Sequence, residues 1–190
     1  LQELGLEPGK YIVVSAHREE NVDNEVHFLS LMNAIDKVAE TYGLPVVYST
    51  HPRSWKRIEE RGFKFHSLVR QLKPFGFFDY NRLQKEAFCV LSDSGTLSEE
   101  SAMLGFPAVL IRTSTERPEV LDKGTLVIGG ITKQDICQAV DLIRAIWEDH
   151  DTRRLPLDYL DKNTSIKVVK LIQSYAKIVN SVVWGKNDRE

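Results

Sequence analysis

Short runs of β-branched and aromatic residues recur along the chain: YIVVS at 11–15, PVVYS at 45–49, AFCVL at 87–91, AVLI at 108–111 and TLVI at 125–128. They are nearly continuous in apolar character, the pattern of strands buried on both faces of a parallel sheet. A weaker strand is expected over 67–71. Between the runs the apolar positions change to steps of three and four. Val26, Leu29, Met32, Ile35, Val38, Ala39 and Tyr42 form one helical stripe, with Asp23 or Asn24 placed to cap its start. Ile136, Ala139, Val140, Ile143 and Trp147 form another after Thr132, whose spacing to Asp135 resembles a capping box with Asp in place of Glu. The stretch 149–163, with Pro156 and mixed charge, breaks the pattern. Ile166, Val169, Ile172, Tyr175, Val179 and Val182 then mark a final helix over 164–184.

Strand and helix in alternation argue for right-handed βαβ units, and so for an α/β fold with a doubly wound parallel sheet. Ligands of such sheets lie beyond the carboxyl ends of the strands, which directs attention to the loops at His17, His51, Ser92 and Arg112. A length of 190 residues fits one large domain or two small ones, and we expect a single domain over 1–190. A net charge of −2 and a pI near 6.3 give no general field toward nucleic acid or an anionic membrane, so an anionic ligand must be held locally. Cys89 and Cys137 sit in apolar stretches without metal-ligand spacing, as buried, reduced residues of a cytoplasmic protein would. No apolar run approaches the roughly 18 residues of a membrane span. The opening LQELGLEPGK, with Leu1 first, reads as a helix end and a turn entering a strand, so a segment of a longer polypeptide is expected.

The strongest local signal is Ser92-Asp93-Ser94-Gly95-Thr96, between the AFCVL strand and a helical stretch over 97–104. Small hydroxyl residues and glycine at a helix start let backbone N–H groups approach a phosphate, which the helix dipole favours. The plainer reading, of equal weight on these residues alone, is a strand-to-helix turn capped by Ser94 or Ser92. Glu99 and Glu100 follow in the first helical turns, where a carboxylate either stabilises the helix start or accepts ribose hydroxyls. Adjacent helical residues point about 100° apart, so one of the two faces the ligand, and we assign Glu100. His17 and Arg18 end the first strand and His51-Pro52-Arg53 the second, setting imidazole and guanidinium groups at the ligand edge, unless the first is simply a solvated charged loop. Arg117, before Pro118, either reaches a phosphate or pairs with Glu116 or Glu119. The cluster at 75–80 (FGFFDY) is expected to be mostly core, with one ring free to line a base pocket.

SAHREEN, STHPR, SDSGTLSEES, FPAVLIRTSTERPE and GTLVIGG stand in the order and spacing of the carboxyl-terminal half of non-hydrolysing UDP-N-acetylglucosamine 2-epimerases. The resemblance runs from about Tyr11 to Gly130, and it implies the Rossmann-like carboxyl-terminal half of a two-domain GT-B fold. It places His17 at the diphosphate, as the residue closest to the chemistry. Ser94, Gly95 and Thr96 hold phosphate, Glu100 the ribose, Arg117 a phosphate, and Tyr80 stands beside uracil. Positions matching Arg18 and His51 lie where a second, activating UDP-sugar binds in some members. The family's usual Gly-Gly is here Gly95-Thr96, and STHPR replaces VH-x-N. Both resemble the branch that forms UDP-N-acetyl-L-fucosamine for surface polysaccharides, which leaves the sugar open.

The reaction so implied is anti elimination of UDP to a 2-acetamidoglycal and re-addition with C2 inverted. Its acid/base carboxylates are expected on a missing amino-terminal domain, in a homodimer, with no metal, nicotinamide or flavin. A GT-B glycosyltransferase would use the same half to hold a nucleotide-sugar, a hydrolysing epimerase shares the motifs, and a catalytically silent nucleotide-sensing module is a third reading.

Overall fold

The computed structural model describes residues 1–149 and 154–186 and divides into two compact units, Leu1–Pro156 and Leu157–Glu190. The first holds six strands: β1 (Ile12–Ser15), β2 (Val46–Ser49), β3 (Val69–Leu72), β4 (Cys89–Ser92), β5 (Ala108–Leu110) and β6 (Leu126–Ile128). They form one all-parallel sheet in the order β3-β2-β1-β4-β5-β6, the arrangement of a doubly wound nucleotide-binding fold. Each expected strand is present. Most begin or end a residue or two from the apolar run, because the hydrogen-bonded ladder and not hydrophobicity sets the limit. β4, for example, extends to Ser92, which pairs with Ser15 of β1.

The helices of this unit are α1 (Glu19–Val22), α2 (Glu25–Tyr42), α3 (Pro52–Glu60), α4 (Phe77–Lys85), α5 (Leu97–Leu104), α6 (Pro118–Asp122) and α7 (Lys133–Glu148). Asn24, not Asp23, caps α2, its side chain accepting from the amides of Val26 and His27. Thr132 caps α7 by accepting from the Asp135 amide at 3.2 Å, while its hydroxyl donates to the Asp135 carboxylate at 2.6 Å. Alternation along the strands sends Ile12, Val14, Val46, Tyr48, Cys89, Leu91 and Val109 to one face. There they pack with Phe28, Leu31 and Ile35 of α2, Ile58 of α3, and Ile136, Val140 and Ile143 of α7. The alternate residues Val13, Val47, Val90, Ala108 and Leu110 are equally buried, as the continuous apolar runs require. Gly129 lets α7 close on the sheet: a Cβ there would stand 2.4 Å from a Val109 methyl and 3.2 Å from Ala139 Cβ.

Several expectations fail locally. Residues after His17 form the single turn α1 rather than a loop, with the Arg18 carbonyl accepting from the amides of Asn21 and Val22. Phe77 and Phe78 are exposed, 76% and 84%, stacked edge to face on the outer side of α4 instead of filling core. Cys89 is buried, whereas Cys137 is only half-buried. Of the break over 149–163, residues 150–153 lie outside the described residues. The second unit contains α8 (Leu157–Leu160) and α9 (Thr164–Val182), the latter two residues shorter than the expected 164–184, with the apolar side chains of α9 exposed. No helix among the described residues is long and apolar enough to cross a membrane.

Candidate functional site

The strand order reverses between β1 and β4, and the crevice above such a reversal is where this class of sheet receives ligands. Because Ser15 pairs with Ser92, the two strands end level, and the loops carrying His17 and Ser94 leave side by side. Asp93 lies between them with no solvent exposure. Its carboxylate accepts from the His17 amide at 3.1 and 3.0 Å, the Arg18 amide at 2.9 Å and Asn21 Nδ2 at 3.1 Å. His17 Nδ1 stands 3.4 Å from the same carboxylate. Asn21 also donates to the Ile111 carbonyl at 3.1 Å, which joins the loop after β5 to the other two.

His17 is exposed at the mouth of this crevice, its ring tilted against that of His51 with centroids 6.1 Å apart. His51 is itself the N-cap of α3, Nδ1 accepting from the Arg53 amide. The Arg18 guanidinium faces Gly95, where an added Cβ would meet Arg18 Nη2 at 3.9 Å and nothing nearer. Gly95 does not take a left-handed conformation. Neither the backbone nor its neighbours therefore call for a glycine there: a Cβ would be in ordinary van der Waals contact with the Arg18 guanidinium.

The turn is not capped as expected. Thr96 occupies the N-cap position of α5 without a side-chain capping bond, and Ser92 Oγ accepts from the Ser94 amide instead. Thr96 Oγ1 bonds Ser94 Oγ at 3.0 Å and donates to Glu100 at 2.8 Å, and the buried Gln84 donates to the other Glu100 oxygen at 2.9 Å. Glu100 thus points back across the turn. Tyr80, half-buried on α4, belongs to the same group: burial pushes its hydroxyl up to about 12, a bond with the Ser15 side chain opposes this, and the charges of Glu100 and Asp93 add to it.

Arg117 precedes Pro118 at the start of α6, as expected, but its Nε donates to Glu99 at 2.6 Å. The carboxylate expected to face away thus pairs with the expected phosphate ligand, and Arg117 Nη1 also donates to the Glu116 carbonyl at 3.3 Å. Glu116 instead takes a bidentate pair from Arg112 at 3.0 Å on each arm, and Arg112 Nε reaches Glu20 at 2.9 Å. The Arg112 guanidinium holds the Glu116 carboxyl below the usual glutamate range. His17, Arg18, His51, Tyr80, Ser94, Gly95, Thr96 and Glu100 thus gather at the carboxyl edge around β1 and β4, and Arg117 joins them through Glu99. No local sequence signal points to a role for Asp93, Asn21 or Gln84. Asp93 and Asn21 stood inside the quoted motifs, but only the long-range pairing shows what they bind. Among the described residues no group of three His, Cys, Asp or Glu side chains is disposed to hold a metal ion.

A family model described as UDP-N-acetylglucosamine 2-epimerase matches residues 1–173. The UDP-N-acetylglucosamine 2-epimerase of Methanocaldococcus jannaschii is 31% identical over 137 residues, which cover 70% of this chain and 37% of that protein. The solved UDP-N-acetylglucosamine 2-epimerase of Rickettsia bellii superposes with a TM-score of 0.78 at 34% identity, over 97% of this chain and 50% of that one. The Methanocaldococcus jannaschii enzyme in complex with UDP-GlcNAc and UDP gives a TM-score of 0.73 at 28% identity, over 87% and 45%. The chain spans half or less of the length of these relatives. Its sheet is the Rossmann-like half of a GT-B architecture, and by fold, motif order and family match the chain belongs to the UDP-N-acetylglucosamine 2-epimerase family.

Proposed function

We propose that this chain is the UDP-binding, carboxyl-terminal domain of a cytoplasmic UDP-N-acetylhexosamine 2-epimerase. The whole enzyme is a homodimer that serves surface polysaccharide synthesis. The observation that carries the reading is the Arg18 guanidinium beside Gly95 at the start of α5, where N–H groups and the helix dipole favour a diphosphate. In this reading His17, Ser94, Gly95 and Thr96 meet the diphosphate, Arg117 leaves Glu99 for a phosphate oxygen, Glu100 accepts the ribose hydroxyls and Tyr80 stands beside the base. Arg18 and His51 face the second UDP-sugar. Thr96, which bridges Ser94 and Glu100, sits where the sugar preference of the L-fucosamine branch would be set.

In the reaction the C2 proton is removed, the C1–O bond breaks and its electron pair leaves with UDP, forming a C1–C2 double bond. UDP then adds back and C2 is protonated on its opposite face. The groups on this chain lower the barrier by stabilising charge as it develops on the departing diphosphate. The proton-transfer carboxylates belong to the amino-terminal domain. The isolated chain therefore binds UDP and does not invert C2. Calorimetric titration with UDP, together with deuterium exchange at C2 of UDP-N-acetylglucosamine in D2O, checks both. No UDP binding would overturn the nucleotide assignment, and deuterium incorporation by this chain alone would overturn the division of labour.

A further inference from the structure

A carboxylate removed from water must be compensated by hydrogen bonds, and Asp93 is compensated from one side of the site. Each hydrogen bond described for its carboxylate is accepted: from the amides of His17 and Arg18 and from the Asn21 side chain. The remaining neighbour is His17 Nδ1, 3.4 Å away. An imidazole nitrogen facing a carboxylate is favoured as N–H, since a lone pair there would confront a second set of lone pairs. The partner of one ring nitrogen decides the tautomer, and so what the other nitrogen offers to a ligand.

We propose that Asp93 is a positioning residue that holds His17 in the Nδ1–H tautomer and, through two backbone amides, fixes the His17 ring and Arg18 at the mouth of the Ser94–Gly95 turn. The Nε2 lone pair of neutral His17 is then the atom left to take up a proton. A protonated His17 presents Nε2–H to a diphosphate oxygen while its second N–H stays on Asp93. Arg18, anchored by the same carboxylate, keeps its guanidinium beside Gly95. The use of His17 toward a diphosphate rests on the function proposed above, but the tautomer does not.

Nitrogen-15 NMR of the imidazole rings in the ligand-free chain at about pH 8.5, where histidine is neutral, reads the tautomer directly. His17, assigned by loss of its signals in His17→Gln, is expected as Nδ1–H. In Asp93→Asn the amide oxygen serves the Arg18 and Asn21 donors and turns its NH2 toward the ring. The proton then moves to Nε2, and UDP binding weakens about tenfold, the equivalent of one hydrogen bond. Nε2–H as the dominant form in the parent chain would overturn the proposal whether or not Asp93→Asn folds. A folded Asp93→Asn chain with lower thermal stability but an unchanged tautomer would reduce Asp93 to structure and overturn it as well. Nδ1–H in a parent chain that fails to bind UDP supports the Asp93–His17 pairing and counts against the nucleotide assignment alone.

Discussion

Asp93 and Glu99 both hold site residues in place, and they do so under opposite conditions. Asp93 is sealed from solvent and bonded mainly to backbone amides, so moving its partners means leaving buried donors unpaired. Glu99 and Arg117 keep 29% and 40% of their side chains exposed, so their pairing is partly screened by water and can be exchanged more readily than the sealed contacts of Asp93. One corner of the crevice is therefore preorganised. The other is more exchangeable: an arriving phosphate would compete with a partly solvated carboxylate for Arg117.

Removing each anchor tests this contrast. Asp93→Ala strips an acceptor from three buried or half-buried donors, and an unfolding free energy lower by about 3 kcal/mol or more is expected in urea titrations. A loss below about 1 kcal/mol, the range of an exposed ion pair, would erase the distinction between the corners. Glu100→Gln comes next, with UDP affinity lowered by about 1.5–3 kcal/mol in calorimetry as a charged acceptor for two hydroxyls becomes a neutral one. 2′-Deoxy-UDP should bind the parent more weakly than UDP but lose little further in Glu100→Gln. An unaffected UDP affinity would return Glu100 to its contacts with Thr96 and Gln84. A smaller effect belongs to Arg117→Ala, which should weaken UDP by about 1–2 kcal/mol, spare uridine, and change fold stability by less than about 1 kcal/mol. Glu99→Gln sharpens that test, because it removes the carboxylate charge beside Arg117 without removing Arg117 and should leave UDP affinity within about threefold of the parent, under 1 kcal/mol. Equal losses of UDP and uridine in Arg117→Ala would place Arg117 in structure.

The sheet was legible because each strand carries its signal locally: a strand buried on both faces must be apolar throughout, and YIVVS or AFCVL announces that without reference to the rest of the chain. The caps at Asn24 and Thr132 were equally local. The site was legible only as a set of loops. Its wiring runs between residues far apart in sequence, so Glu99 looked like a bystander until Arg117 arrived from the next loop, and Asp93 looked like one polar residue among several in SDSGT. The aromatic cluster misled for the opposite reason. Phenylalanine suggests core on composition, but Phe77 and Phe78 fall on the outer side of the first turn of α4, and no local pattern fixes how that turn sits on the sheet.

The bridge from Asn21 to Asp93 and Ile111 also governs when the site comes into being. The contacts that shape the His17–Asn21 turn reach 76 and 90 residues along the chain. Closing loops of that length is slow compared with forming α2 or pairing β1 with β2. A chain emerging in order from its amino end would carry His17 and Arg18 through the synthesis of the intervening residues without the Asp93 carboxylate that fixes them. The crevice would take shape only when β4 and β5 dock beside β1, so the residues most prominent in the early sequence are among the last to reach their working positions.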